Sequence, residues 1–459
     1  MTPMYEFTTP PPKRPPVTHV VAPPVSGNGI VWVCLGTCGL STSTDSSTPP
    51  HIIFILADDI GWNDVSFHGS RQIPTPNIDA LAATGVILQR HYSASTCTPS
   101  RTALLTSVYP ARTNVGYVAY PPASEQSLSL RFELLPQWLK RLGYSTHMIG
   151  KWHLGYSSVE HTPTWRGFDT FFGYYNFGGF YFNHSVEWQG HCGVDLWHNV
   201  GHSMQPVTDL NGVYSTHAFT RRATQIIAEH DLRKPLFLFL SHQGIHATCD
   251  NCTTEAPREN TDKFAYIEQH NRTVLAASFG RPFHGACAGA LDVLDESVGQ
   301  VLAALQQRDM LARSVVVFAS DNGAAPLATV NSELPNGGNN WPLRGTKEGA
   351  WEGGVRTTAL LWSASLRDTL PRPPSQQLMH TVDWGPTLYA VAGGNVSELG
   401  DVDGSDLWYE LSTGKGVGRS EALLQLGDRD ELSAIISGRQ ELKLRNPFPE
   451  IPLGGGWVT

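Results

Sequence analysis

Ile52-Ile53-Phe54-Ile55-Leu56 runs into Ala57-Asp58-Asp59, and this stretch decides how the chain folds. An unbroken apolar run of this length, rich in Ile and Phe, reads as a strand buried on both faces. The pattern returns along the chain. Leu236-Phe237-Leu238-Phe239-Leu240 leads into Ser241-His242 and then His246, and Val315-Val316-Val317-Phe318 leads into Asp321-Asn322-Gly323. A weaker run from Tyr144 to Ile149 leads into Lys151-Trp152-His153. Strands this apolar belong to a mostly parallel sheet covered by helices.

Helical patterns alternate with these runs. Residues 288–307 place Leu291, Leu294, Val298, Val301, Leu302 and Leu305 on one stripe, with Asp292, Glu296 and Gln300 off it. Pro76 to Ala83 reads as a helix start, and Phe132 to Leu142 as a further helix stopped by Gly143. The alternation predicts an α/β layer fold, in which ligands gather at the carboxyl ends of the strands. The polar residues after each run should therefore meet on one edge. Past residue 395, Leu423–Leu426, Ala434–Ile436 and Leu442–Leu444 read as strands of a small second sheet. The expected division is a leader over 1–50, a catalytic domain over 51–395 and a short C-terminal subdomain over 396–459.

Composition narrows the function. The chain has 459 residues, 41% hydrophobic and 16% charged, with 44 Gly and 32 Pro, enough for a large core with many loops. Its net charge of -9 argues against a nucleic-acid partner. The leader is rich in Pro, Ser and Thr, and its apolar run Ile30–Leu40 is too short for a stable membrane span. It reads either as a signal-peptide core behind Lys13 and Arg14 or as part of a disordered leader. Apart from Cys97 and the leader pair Cys34 and Cys38, the cysteines are Cys192, Cys249, Cys252 and Cys287, read as disulfide-forming with the pairing open. With the sequons at Asn183, Asn251, Asn271 and Asn395, they favour a secretory route, lysosomal or extracellular.

Asp58, Asp59, Asp321 and Asn322 are oxygen donors of the type hard cations prefer. Taken singly, each Asp pair would as readily cap a helix or close a turn. Convergence on one edge changes that, because clustered carboxylates repel unless a divalent cation joins them. Calcium, with its loose geometry, suits a site built from several loops. Cys97, in Cys97-Thr98-Pro99-Ser100-Arg101, is a poor partner for a hard cation while it remains a thiol. Lys151, His153, His246 and Lys347 supply cationic and hydrogen-bonding groups, which suit a reaction that builds charge on an oxyanion and a leaving oxygen.

The Cys97–Arg101 motif resembles the signature at which sulfatases oxidise cysteine to formylglycine, and further motifs follow in the family's order. Ala57–Asp64 looks like the opening metal motif, and Pro74–Ala82 follows it. Gly150–Gly155 is similar to the second signature, and Arg166–Asp169 and Ser320–Gly323 also fit. Gly338–Lys347 and Trp351–Arg356 resemble the arylsulfatase B, or N-acetylgalactosamine-4-sulfatase, branch. Ser107 stands where the family usually has Gly. The resemblance implies an alkaline-phosphatase-like fold and a sulfuric ester hydrolase acting on a sulfated carbohydrate or aryl sulfate. It implies calcium held by Asp58, Asp59, Asp321, Asn322 and the modified Cys97. It also implies maturation by a formylglycine-generating enzyme. Arg101 and His153 would support the formylglycine hydrate, Lys151 and Lys347 would contact sulfate, and His246 would sit near the leaving oxygen. One diol oxygen would attack sulfur and expel the alcohol; deprotonation of the other would release sulfate. Two other readings share these residues: a phosphate or phosphonate ester hydrolase, and an inactive sulfated-glycan binder.

Overall fold

The register of the apolar strands explains where their polar ends collect. The computed structural model describes residues 48–248, 254–268, 283–326, 336–369, 373–426, 433–438 and 441–445. Within these, a nine-stranded sheet comprises β1 (His51–Ala57), β2 (Val86–Ile87), β3 (Ser145–Lys151), β4 (Thr170–Tyr174), β5 (Trp197–Val200), β6 (Ser203–Pro206), β7 (Leu236–Ser241), β8 (Ser314–Ser320) and β9 (Ala359–Ser363). The strand order is β2-β9-β8-β1-β7-β3-β4-β5-β6. The central run from β8 to β4 is parallel, and β9 and β5 flank it antiparallel. Leu56 pairs with Ser241, Ala57 with Ser320, and Ser241 with Gly150. The strands therefore end level, and Asp58, His242, Asp321 and Lys151 emerge on the same edge.

Alternate residues of each strand feed opposite cores, as the pleat requires. Ile53, Ile55, Leu238, Leu240, Val316 and Phe318 face α1 (Pro76–Thr84), α4 (Ser215–Glu229) and α5 (Phe283–Gln307). Ile52, Phe54, Phe237, Phe239, Val315 and Val317 face α2 (Cys97–Thr106), α3 (Leu135–Arg141) and α6 (Trp384–Val391). The expected stripe Leu291–Leu305 is buried in the first core. Burying each such side chain stabilises the fold by about 1.5–3 kcal/mol. Helix α3 starts later than the expected Phe132 because Pro136 has no N–H to donate to the Phe132 carbonyl and so fits only the first turn; Leu134 is extended and its N–H donates to the Gln137 side chain at 2.9 Å. Gly143, at φ 86°, ends the turn after it.

Helix α2 ends at Ser107, which occupies the left-handed position (φ 57°) usually reserved for glycine. The helix end is intact: Ser107 N–H donates to Ala103 O at 2.9 Å, and Ser107 C=O accepts from Asp403 and Gly404. The predicted second sheet is present as three antiparallel strands, Glu421–Gln425, Ser433–Ser437 and Glu441–Arg445. It buries Ala422, Leu424, Ala434 and Ile436 against Tyr92, Ala350, Val355 and Leu378.

Residues 1–47 of the leader, Cys249, Cys252, Asn251 and Asn271 lie outside the described residues. Asn183 and Asn395 are exposed. Cys192 is exposed with a free thiol, so the expected disulfide pairing is not met there. Among the described residues, no helix is long and apolar enough to cross a membrane.

Candidate active site

Cys97 opens α2 and points at the carboxylates that follow β1. Its Sγ lies 3.4 Å from Asp58 Oδ1 and 3.9 Å from Asp59 Oδ1, fully shielded from solvent. One turn along the same helix face, Arg101 grips the end of β8 and its neighbours. Its Nε and Nη2 donate to Asp321 Oδ2 at 3.1 and 2.9 Å, and its Nη1 donates to Lys151 O at 3.1 Å and Ser241 Oγ at 2.5 Å. Arg101 Nη2 is also 3.5 Å from Asp58.

The remaining cations complete a balanced cluster. Lys151, the last residue of β3, donates from Nζ to Asp58 Oδ2 at 2.6 Å. Lys347 Nζ sits 2.8 Å from Asp59. Asn322 Nδ2 donates to Asp59 Oδ1 at 2.7 Å, and His246 Nε2 is 3.7 Å from Asp59 Oδ2. Asp58, Asp59 and Asp321 thus face Arg101, Lys151 and Lys347, all buried. His153 adopts a left-handed backbone (φ 58°), which turns its Nε2 to Tyr120 O at 2.9 Å.

The electrostatics divide these groups. Burial alone would raise Asp58, but Lys151, then His246, Arg101 and Lys347, hold its carboxyl well below the usual range. Asp321 moves the other way, to about 7, through burial and the neighbouring Asp58 charge. Burial pushes the Cys97 thiol up, so the encoded side chain is a protonated thiol and a weak nucleophile. Burial, then Lys347, brings His246 down to about 4, and burial with Lys151 holds His153 well below 6.5.

The donor set fits a hard divalent cation. Ligand atoms of Asp58, Asp59, Cys97 and His246 all lie within 4.8 Å of one another. Asn322 Oδ1 is buried with no hydrogen-bond partner, as is His153 Nδ1. A buried carbonyl oxygen with nothing to accept is an incomplete coordination sphere as much as an incomplete hydrogen bond. Asp58, Asp59 and Asn322 supply the oxygen donors, His246 stands beside them as a nitrogen base, and an oxygen in place of the Cys97 sulfur would remove the soft donor from the set.

All the residues singled out in the sequence, Asp58, Asp59, Cys97, Arg101, Lys151, His153, His246, Asp321, Asn322 and Lys347, are brought to this one edge. Others join them without a sequence signal. Ser241 was visible only as a strand end. Asn336 donates from Nδ2 to Asp59 O at 2.8 Å, and Tyr120 contributes only its carbonyl. Backbone and hydroxyl contacts of this kind leave no spacing to read.

Similarity to known proteins identifies the family. A family model described as Sulfatase matches residues 50–394. Arylsulfatase J of Mus musculus is 39% identical over 372 residues, covering 81% of this chain and 57% of that protein. This chain therefore spans little more than half the length of that relative. N-acetylgalactosamine-6-sulfatase of Mus musculus is 31% identical over 389 residues, covering 81% of this chain and 68% of its own. The crystal structure of Ps i-CgsB in complex with k-i-k-neocarrahexaose superposes with a TM-score of 0.71 at 26% identity, over 87% of this chain and 86% of that one. With the family model spanning the sheet, the helix that Cys97 opens and every strand end that carries the charged cluster, the chain belongs to the sulfatase family.

Proposed function

We propose that this chain hydrolyses sulfate esters on a sulfated carbohydrate, a galactosamine sulfate unit in the first instance, with calcium as cofactor and formylglycine at position 97. The observation that carries the reading is the setting of Cys97: a buried, protonated thiol facing two carboxylates at the head of a helix. A thiol there serves neither as a nucleophile nor as a ligand for a hard cation. Asp58, Asp59, Asp321 and Asn322 would hold calcium, whose charge would polarise a sulfate oxygen, and hydrated formylglycine at position 97 would supply an oxygen nucleophile.

The chain's own groups would do the rest. The cluster is charge-balanced as it stands, so a dication is accommodated best together with an anionic substrate. Lys151 and Lys347 would then turn from Asp58 and Asp59 toward the sulfate oxygens, where positioned cations stabilise developing charge. Arg101 and the unpartnered Nδ1 of His153 would orient the residue at position 97. His246 places Nδ1 2.6 Å from Ala247 O, so its lone pair is on Nε2. A bound anion raises the proton affinity of Nε2, which suits it to protonate the leaving oxygen. Carriage through the secretory route, with conversion by a formylglycine-generating enzyme, belongs to the same reading, as does a lysosomal or extracellular destination. N-acetylgalactosamine-6-sulfatase is a relative, so the 6-sulfate and the 4-sulfate are both to be assayed.

The test has two parts. Mass spectrometry of the tryptic peptide His91–Arg101 should find the aldehyde in place of the thiol after expression in a host able to make formylglycine. That protein, with calcium, should release sulfate from an aryl sulfate and faster than it releases phosphate from the matched ester. Converted, metal-loaded protein that releases no sulfate would sink the proposal.

A further inference from the structure

A cavity of about 390 Å³ lies beside the charged site, and none of the roles above uses it. Its size is that of a small-ligand pocket, about 300–1,000 Å³. Its wall is aromatic. Tyr156 stacks on Tyr175 with ring centroids 5.5 Å apart, and Trp197 leans on Tyr175 at 5.5 Å. Val159 and Val194, 39% and 46% exposed, line its mouth. Its lining includes no lysine or arginine, and its lining carboxylate, Asp195, is already filled. Asp195 accepts from the backbone N–H groups of Tyr175 and Asn176, from Asn176 Nδ2 and from Trp197 Nε1. A sulfate would find no counter-charge there. A neutral ring would find the apolar surface of Tyr156, Trp197, Val159, Val186, Val194 and Met204, which suits the C–H face of a sugar.

The wall of the cavity is bonded to the charged site. His153 N–H donates to Tyr175 O at 3.0 Å. The Phe177 ring lies 5.2 Å from His153 and 5.9 Å from His246, and Trp188 packs edge-on against it at 5.9 Å. Strand Ser185–Trp188 pairs with His191–Val194 in a hairpin, and Val186 and Trp188, two apart, share one face. Val186 lines the cavity while Trp188 meets Phe177, so one hairpin face covers both.

We infer that this cavity binds an uncharged sugar ring attached to the sulfated unit, so that the enzyme prefers a sulfated sugar carrying a neutral neighbour over the isolated monosaccharide. This rests on the sulfate-ester reading above. The experiment compares sulfate release from a sulfated galactosamine with release from the same unit extended on either side by one unsulfated sugar. The full, formylglycine-bearing chain is used. One extended substrate should show a kcat/KM about tenfold higher, a difference within reach of burying one apolar ring face. That ratio should fall toward one in Val186→Trp, which fills the cavity, and in the double variant Val159→Ala/Val194→Ala, which strips its mouth. Equal kcat/KM for the monosaccharide and both extended substrates, or a ratio unchanged in both variants, overturns the inference. If no substrate is turned over, the sulfate-ester reading fails instead, and the cavity is still tested by saturation-transfer NMR of the unsulfated disaccharide. Transfer in the wild type that is lost in Val186→Trp supports it. No transfer in the wild type, or transfer unchanged in Val186→Trp, overturns the sugar as occupant.

Discussion

Two buried arginine–aspartate pairs in this chain do opposite work. Arg419 donates from Nε and Nη2 to Asp383, from Nη1 to Tyr109 Oη and Glu421 O, and from Nη2 to Asp403 O. Asp383 accepts further from the N–H groups of His380 and Ser405. Every polar atom of that pair is used, and it ties the start of the C-terminal sheet to the loop after α6. Arg101 and Asp321 are as deeply buried, yet their surroundings are incomplete: Asn322 Oδ1 and His153 Nδ1 have no partner, and the Cys97 thiol faces carboxylates it cannot serve. A saturated cluster holds shape, whereas an unsaturated one is completed by a ligand.

The sharpest way to break that contrast is at the centre of the site. Cys97→Ala should lower sulfate release by at least about 10⁴-fold, as loss of a nucleophile does, while its urea-unfolding midpoint stays close to the wild type. Normal turnover in this variant would remove Cys97 from the chemistry. Next comes the clamp. Arg419→Met strands a buried carboxylate and should cost about 3–5 kcal/mol of stability, seen as a lower urea midpoint. Calcium should stabilise this variant and the wild type equally. Lys347→Met should differ: it frees Asp59 to bind the cation, so calcium should raise its melting temperature more than that of the wild type. Equal calcium increments in all three proteins would mean that Asp59 is not a ligand.

The same contrast explains what the sequence made legible. Strands buried on both faces must be continuously apolar, so their ends stand out, and Asp58, Lys151, Asp321 and His246 follow those ends. Level registry turns these scattered ends into a site, because the apolar runs pair residue for residue along their whole length. Lys347 has no strand before it and was legible only through its motif. The clamp was not legible, because Asp383, Arg419 and Tyr109 come from separate loops with no spacing rule between them. Nor was the aromatic cavity, whose Tyr156, Tyr175 and Trp197 are ordinary core candidates until three segments fold together.

Histidines carry the comparison to pH. His91 is a scaffold counterpart of His153: its Nδ1 pairs with Thr357 Oγ1 at 2.8 Å and its Nε2 accepts from Trp384 Nε1 at 3.0 Å. Burial brings His91 down to about 3, so the fold keeps it neutral. The unfolded chain takes up a proton near pH 6.5 that the fold refuses. Its contribution is therefore complete above that pH and is lost as pH falls from 6.5 toward 3. By pH 5 the loss is about 2 kcal/mol. Against His91→Gln, the wild type's stability advantage in urea should shrink by about that amount between pH 7 and pH 5; an advantage independent of pH would mean that His91 takes up its proton as readily in the fold as in the unfolded chain.

The smallest expected effect lies where the two regions meet. Ser95, two residues before Cys97, donates from Oγ to Gln425 Oε1 at 3.1 Å and accepts at its carbonyl from Glu348 N–H at 2.8 Å. One residue of the C-terminal sheet thus touches the turn that aims Cys97, and that turn in turn braces the residue after Lys347. Gln425→Leu removes a buried hydrogen bond worth about 1 kcal/mol. If the contact only supports the fold, unfolding shifts by that amount and kcat is unchanged. If it aims the nucleophile, kcat falls several-fold with KM little altered, and Gln425→Glu, which keeps the acceptor, restores most of it. We expect the second outcome, because Ser95 is the point at which the saturated and the unsaturated regions share a hydrogen-bond chain.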